Sequence, residues 1–457
     1  MKVGFGRGII TPKGKIAIAG TIPPRTTDVV HDDVLAVAMV IEQNDIRTIW
    51  VSCDMCHIPK RLTEEVVITL KNQIADFKED QLIINATHAT ACAMVTDDEF
   101  LDEGLEMDFS LIEPLEETRK QICDGIIKAV TKAISNLCEC TMEFSTADII
   151  TGYCRRVVYK DLSAVMYGNP YREDFLRMEY PDSSPSKMLY FYTANEHKLI
   201  VIFADVPCPA QADEASTHIT GDYWSVVREK INETFGKDVE VISACACAGE
   251  LAPRRVMYSA GGYNEKFEEG TISAIRLGEF IAESVIKEKE RPLKKYSTEE
   301  LIHNRISKIL EFPVRMPTDD DVNNSVTYFN DSDNFDEQGK PKRKVSHLKY
   351  VLIKKLLRDN PKFYNARVTV MKIADVLFFT APMEVFTEYS KRIAMKFPNN
   401  PTFDVQLTFD YMGYLPTKEA IEHGGYSTEI FSTVTGADGG EMYIEEISNL
   451  LNKIKGE

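Results

Sequence analysis

Long apolar runs are missing from this sequence: none approaches the ~18 consecutive apolar residues of a membrane-spanning helix. The opening Met1-Lys2-Val3-Gly4-Phe5-Gly6 also lacks the apolar stretch of a secretory signal, so the expected location is cytoplasmic. Positive charge is in deficit, with 53 Lys and Arg against 71 Asp and Glu and a formal net charge of -18. Binding to phosphate backbones or to anionic lipid needs clustered cations, so neither nucleic acid nor a membrane surface is an expected partner. Internal repeats and low-complexity tracts are absent as well. What these absences leave is a globular protein whose partner is a small-molecule substrate, with homo-oligomerisation open.

What is present fits that outline. At 457 residues, 44% of them hydrophobic and 27% charged, the chain can bury a core as one large α/β domain or two to three smaller ones. Ten cysteines, at 53, 56, 92, 123, 138, 140, 154, 208, 245 and 247, are spread through apolar segments and read as reduced thiols. Short β-branched runs predict strands at 34–41, 48–53 and 82–86, with an intervening helix on which Val67, Leu70, Ile74 and Phe77 recur at helical spacing. A longer helix is expected over 113–137. Residues 151–187, rich in Tyr, Arg, Pro, Asp and Ser, read as a long structured excursion of the kind that forms lids and binding loops. Strands at 188–192, 199–203, 239–244, 366–373 and 376–380 and helices at 224–235, 272–287, 348–357, from 384 and along 443–454 continue the alternation. Two acidic stretches, 97–106 and 315–345, are expected at the surface. The second adds Lys340, Lys342, Arg343 and Lys344, and it lacks the glycine and distal glutamate of a calcium loop.

Residues able to do chemistry recur just past the predicted strand ends. The apolar run Leu82-Ile83-Ile84-Asn85-Ala86 stops at Thr87-His88. A histidine there has its backbone fixed by the strand and its imidazole freed by the loop, at the place where open α/β sheets bind ligands. Asp54 closes the 48–53 strand and is expected beside His88. It lies in Cys53-Asp54-Met55-Cys56-His57, whose letters fit a redox pair or covalent haem attachment, although such haem attachment belongs to exported proteins. Cys208, between Pro207 and Pro209, is held by a stiff extended loop. Small residues after the 239–244 strand lead to Gly249-Glu250. Glu384 is expected in the first turn of a helix, and Tyr414 follows in Gly413-Tyr414-Leu415-Pro416. Gly4-Phe5-Gly6-Arg7-Gly8 has no strand before it and no helix after it, so it reads as a glycine-rich first turn rather than a dinucleotide fingerprint.

Taken together, these segments resemble the catalytic domain of the neutral/alkaline non-lysosomal ceramidase family over nearly the whole chain. Ile10-Thr11-Pro12 with Ala19-Gly20 is similar to the family's start, and Ala86-Thr87-His88 to its histidine signature. Arg155-Arg156 resembles a substrate-contacting segment, and Ala248-Gly249-Glu250-Leu251-Ala252-Pro253 resembles Ala-Gly-Asp-x-Ser-Pro. Pro382-Met383-Glu384-Val385-Phe386, Gly413-Tyr414-Leu415-Pro416-Thr417 and Gly424-Gly425-Tyr426 resemble the later motifs. The resemblance implies a zinc ion held by His88, Cys208, Glu384 and Tyr414, with Cys208 where the family has histidine and His218 as a rival for that place. The second signature histidine is Thr90 and the motif serine is Ala252, neither of which can act as an acid or base near neutral pH.

The resulting expectation is an α/β fold: a mixed β-sheet core flanked by helices, in a single large ceramidase-like domain over 1–457. The 315–345 stretch is expected as an exposed insertion within it, and a trailing immunoglobulin-like domain is expected to be absent. The expected activity is metal-dependent hydrolysis of an amide or related bond in a small soluble substrate. Glu250, Asp54 and Tyr414 are its catalytic candidates, and Arg155, Arg156 and Thr90 would bind substrate. The alternatives are a non-catalytic binding protein that kept the fold, and a carbohydrate-active hydrolase or lyase using Tyr414 or Glu250 as base.

Overall fold

The computed structural model describes residues 1–21, 25–95, 112–258, 272–330 and 344–456. The acidic stretch 97–106 lies outside them, as do residues 331–343 of the 315–345 stretch. Among the described residues the main element is a nine-stranded mixed sheet. Its path runs Glu240–Cys245, Leu199–Val206, Ser186–Thr193, Cys138–Ala147, Lys2–Ile9, Leu35–Gln43, Ile46–Cys53 and Leu82–Ala86, with Lys294–Tyr296 added alongside Cys138–Ala147. The two end pairs, Leu199–Val206 with Glu240–Cys245 and Ile46–Cys53 with Leu82–Ala86, are parallel, and the pairs between them are antiparallel. The sheet curls so that its two ends meet. Ser52 Oγ and Asn85 Nδ2 both donate to the Ser243 carbonyl, which sets the carboxyl ends of both parallel pairs side by side.

The first strand contains the glycines that read as a turn. It is a strand because helix Leu115–Ser135 lies directly on it: a Cβ at Gly4 or Gly8 would fall on the carbonyl oxygen of Ala133 or Gly125. Alternate glycines thus put a smooth strip of backbone under the helix, a use of glycine for close approach rather than for turning. The helix buries Ile122, Ile126, Ala129, Val130 and Ala133 on the face at helical spacing.

A second sheet has the order His303–Pro313, Phe363–Ile373, Val376–Thr380, Thr402–Val405, with its last pair parallel. Helix Ala437–Lys455 covers it with Tyr443, Ile447, Leu451 and Ile454. The sheets share one core, in which Trp50 and Phe203 of the first meet Phe378 and Phe403 of the second. Across the two sheets, ring centroids are 5.7 Å apart for Trp50–Phe378, 5.5 Å for Phe203–Phe378 and 5.7 Å for Phe203–Phe403. Each such contact adds about 0.5–1.5 kcal/mol beyond area burial, so the relative placement of the sheets is strongly held.

The excursion over 151–187 is ordered around a three-stranded antiparallel sheet of Arg156–Tyr159, Ala164–Met166 and Phe175–Met178. Asp319-Asp320-Asp321 open helix Asp319–Asn330, where three acids favour the positive end of the helix dipole, and Lys344–Asp359 is a second helix. The helix expected from Glu384 begins at Thr387 instead. Glu384–Val385 is tied into a parallel ladder with Tyr414–Leu415 by bonds from Glu384 N to Gly413 O (2.9 Å) and from Phe386 N to Leu415 O (3.2 Å). No helix among the described residues is long and apolar enough to cross a membrane. The architecture is the expected mixed sheet core flanked by helices.

Candidate active site at the strand ends

His88 stands two residues past the strand Leu82–Ala86. Thr87 N bonds to Cys53 O (2.9 Å), which holds the two parallel strand ends together as the chain leaves the sheet. The backbone of His88 then turns into the left-handed region, at φ 64°, a conformation uncommon away from glycine and concentrated at functional sites. Only 5% of His88 is exposed, and both ring nitrogens are engaged. Nε2 lies 3.0 Å from Glu384 Oε2, and Nδ1 lies 3.6 Å from Cys56 Sγ. The other oxygen of Glu384 accepts from the Tyr411 hydroxyl at 2.9 Å, and His57 stacks on the Tyr411 ring.

The electrostatics follow from this line of groups. Burial by itself would lower the pKa of His88, but the facing Glu384 carboxylate and Cys56 outweigh it and bring it up to about 10. Burial pushes Glu384 up, and the cations His88 and Arg155 more than reverse that, holding its carboxyl below the usual range. Burial also pushes the Cys56 thiol up, and His88 and His57 outweigh it, leaving a pKa of about 7. Near neutral pH the line therefore holds an ionised carboxylate, an imidazolium and a thiol close to its midpoint.

Arg155 and Tyr414 flank this line. The β-ladder sets Tyr414 opposite Glu384. Arg155 Nη2 donates to the Tyr414 hydroxyl (3.1 Å) and the Gly249 carbonyl (2.9 Å), and its guanidinium lies over the rings of Tyr414 and Tyr426. Its Nε is buried without a hydrogen-bond partner. The Thr90 hydroxyl is likewise buried and unpartnered, and Gly20 packs so closely on Thr90 that a Cβ there would strike its Cβ. Glu214 also acts on this region: burial raises its carboxyl pKa, while Arg155 and His88 pull it back.

The other candidates are engaged elsewhere. Asp54 forms a two-pronged ion pair with Arg228 (2.6 and 2.8 Å) and accepts from Leu35 N and Thr87 Oγ1, so it ties the strand ends together. Arg156 pairs with Glu179 and donates to the carbonyls of Ala420, Gly424 and Tyr426. Glu250 accepts from the backbone and hydroxyl of Thr387, at the start of helix Thr387–Ala394. The His218 ring packs on His31, with centroids 5.1 Å apart.

Of the four residues that the resemblance implies for a zinc ion, His88, Glu384 and Tyr414 come together, while the Cys208 thiol is engaged on its own loop. The Cys208 thiol turns onto its own loop at the Pro209 carbonyl (3.5 Å), with Cys245 and Asp222 as its titratable neighbours. Nε2 of His88 already faces the carboxylate, and a different thiol faces Nδ1. Among the described residues, no three His, Cys, Asp or Glu side chains gather as cation ligands.

Sequence reasoning passed over Tyr411, Glu214 and the approach of Cys56 to His88. Tyr411 had a signal, three residues before Tyr414 in an aromatic run. Cys56 was noticed only as half of a Cys-x-x-Cys pair, and Glu214 carries no local pattern at all.

The comparisons with known proteins agree with this architecture. Residues 2–225 match the family described as neutral/alkaline non-lysosomal ceramidase, N-terminal. No curated protein matches the chain. Among solved structures, the neutral ceramidase from Pseudomonas aeruginosa superposes with a TM-score of 0.68 at 15% identity, covering 98% of this chain and 73% of that one. A ceramidase complexed with C2 gives the same TM-score and identity, over 97% of this chain and 73% of that one. At such identity the likeness speaks for the fold, and the family match speaks for residues 2–225, which are similar to the N-terminal region of the neutral/alkaline non-lysosomal ceramidases.

Proposed function

We propose that this protein hydrolyses the amide bond of a small, soluble N-acylated compound at the His88–Glu384 pair. One observation carries the reading: a buried histidine ion-paired at 3.0 Å to a carboxylate stands beside a buried arginine whose Nε has no partner. A paired histidine is a proton carrier of fixed orientation, and a buried guanidinium with a free N–H is a receptor for a carbonyl or carboxylate oxygen. The kinship with ceramidases, whose name denotes cleavage of an N-acylated lipid, supports an amide as the target. His88 and Glu384 are only 5% and 2% exposed, which favours a narrow substrate end over a broad one.

In this reading Arg155 holds the acyl oxygen and the Thr90 hydroxyl takes a further polar group of the substrate. His88 delivers a proton to the departing amine nitrogen. Glu384 fixes the tilt and tautomer of the ring, and the Tyr411 hydroxyl fixes Glu384. The raised carboxyl of Glu214 provides a second proton carrier for the product acid.

The test is amine release. Purified protein is incubated with N-acyl amino acids and N-acyl amines of graded chain length, and free amine is read with fluorescamine. Turnover by the wild type, reduced about 10²- to 10⁴-fold in His88→Ala and Glu384→Ala, is the expected result. A folded wild type that releases no amine from any member, while some of them raise its melting temperature, refutes hydrolysis and leaves a binding protein.

A further inference from the structure

We propose that Glu179 and His423 are positioning residues of this site: through Arg156 they latch the strap 424–427 in place as one wall of the Arg155 pocket. The inference rests on the amide-hydrolase reading for what Arg155 holds. Arg155 and Arg156 are consecutive at the start of the strand Arg156–Tyr159, and consecutive side chains of an extended chain point to opposite faces, so the pair takes hold of the strap from two sides. Arg156 takes its backbone: Nη1 donates to Tyr426 O at 2.6 Å, and Nη2 donates to Gly424 O at 2.7 Å and Ala420 O at 3.3 Å. Arg155 meets its side chains, with the guanidinium 5.8 Å from the Tyr426 ring centre and Nη2 3.5 Å from Ser427 Oγ.

The strap does not hold this shape by itself. Gly424, Gly425 and Ser427 have φ values of 70°, 82° and 75°, which glycine adopts freely and serine does not. A strained, glycine-rich segment keeps one conformation only where its surroundings over-determine it. Here the surroundings are a buried clamp. Arg156 is wholly buried and meets both oxygens of Glu179, and Oε1 of Glu179 also faces His423 Nδ1 at 2.7 Å. A carboxylate only accepts, so Nδ1 of His423 carries the proton. His423 ends the helix Lys418–His423, from which the strap departs, so one carboxylate fixes both the clamp and the strap's first anchor. Arg177 and Glu419 join the same two segments at the surface, where an ion pair is weak, so the hold lies in the buried Glu179. This is how the 151–187 excursion bears on the site.

The geometry also says which step the latch serves. Arg155 Nη2 keeps two anchors outside the strap, the Gly249 carbonyl at 2.9 Å and the Tyr414 hydroxyl at 3.1 Å. Releasing the latch therefore frees the wall made by Tyr426 and Ser427 and leaves the guanidinium where it is. The wall decides how closely a substrate is held against Arg155, so its loss falls on KM rather than on kcat.

The experiment uses the full-length protein and leaves Glu179 in place, since a change there strands the buried Arg156 cation and threatens the fold. His423→Ala removes the outer half of the latch, and His423→Asn, whose amide nitrogen falls where Nδ1 stood, restores the bond to Glu179. In His423→Ala the KM for amine release is expected to rise about tenfold, the loss that one hydrogen bond to a charged group accounts for, while kcat changes by less than about threefold. Hydrogen–deuterium exchange at the Gly424 and Thr428 amides should quicken about tenfold or more, and both readouts should return toward wild type in His423→Asn. Gly425→Ala reaches the strap from the opposite side, because a Cβ there falls on the Ala164 carbonyl, and should raise KM in the same way. Equal exchange in wild type and His423→Ala overturns the latch. Faster exchange with an unchanged KM overturns the positioning role and keeps the hydrolase reading. A wild type that turns over no amide overturns that reading on its own, and the latch then stands or falls with the exchange rates.

Discussion

Asp54→Asn separates a scaffolding carboxylate from a proton shuttle. Both oxygens of Asp54 lie on the Arg228 guanidinium, at 2.6 and 2.8 Å, with Asp54 wholly buried and Arg228 6% exposed. Asparagine keeps the outline, and its single oxygen can still accept from Leu35 N, which bonds to the carboxylate at 2.9 Å in the wild type. What disappears is the counter-charge of a buried cation, and breaking such a pair from one side costs about 3–5 kcal/mol. That is a large share of the ~5–15 kcal/mol by which a folded protein is stable. Arg228→Met strands the carboxylate and should cost a similar amount. The double variant removes both charges, so its loss should fall short of the sum of the two single losses by a coupling energy of about 2–3 kcal/mol. The assay is urea denaturation of the four proteins, followed by far-ultraviolet circular dichroism. A single-variant loss below about 1 kcal/mol, or a double variant as unstable as the sum of the two, refutes the argument. A shuttle role makes the opposite demand: turnover collapses in Asp54→Asn while the denaturation midpoint stays put.

Three further outcomes are expected. Gly8→Val should push helix Leu115–Ser135 off the first strand, because a Cβ there meets the Gly125 carbonyl; a loss of about 1–3 kcal/mol in urea is expected, and an unchanged midpoint counts against the packing described. The stability gap between wild type and Glu384→Gln should depend on pH in a definite direction. With His88 raised to about 10, the pair's contribution is complete below the unfolded histidine value of ~6.5 and fades as pH climbs through 10. Glu384, held below its usual range, removes its own share as pH falls below ~4.5, so the gap should peak at about pH 5–6.5; a gap as wide at pH 10 as at pH 6 contradicts the pairing. Dialysis against a chelator should leave the melting temperature and any amine release unchanged, because the Cys208 thiol is turned onto its own loop and no three His, Cys, Asp or Glu side chains gather among the described residues. About one zinc per chain, lost in His88→Ala and needed for turnover, defeats that expectation.

The sheet strands that build this site were legible because each is a short apolar run with sharp ends: Leu82–Ala86 and Val376–Thr380 have the same bounds in sequence and structure. Lys2–Ile9 was not legible, since its three glycines are punctuation in a local reading and become a packing surface only when helix Leu115–Ser135 is laid on them. Glu384 was placed in the right loop but in the wrong local structure. A two-residue strand is defined by its partner Tyr414, thirty residues on, and nothing in Pro382-Met383-Glu384 announces that partner. Motif matching singled out His88, Glu384, Tyr414 and Arg155, which meet. It could not read from local spacing that Asp54, Arg156 and Glu250 are held by Arg228, Glu179 and Thr387.

That division has a physical source. The backbone of the site is fixed by contacts that do not depend on which side chain does the chemistry: Thr87 N on Cys53 O, Glu384 N on Gly413 O, Arg155 N on Glu250 O. Side chains on such a frame can be exchanged without moving it, which is how Thr90, Cys208 and Ala252 can stand in motif positions while the fold superposes on neutral ceramidase at a TM-score of 0.68. What such an exchange leaves in place is the meeting of side chains that the frame sets up: the ladder holds Glu384 opposite Tyr414, and the turn at His88 brings its Nε2 to 3.0 Å from Glu384 Oε2.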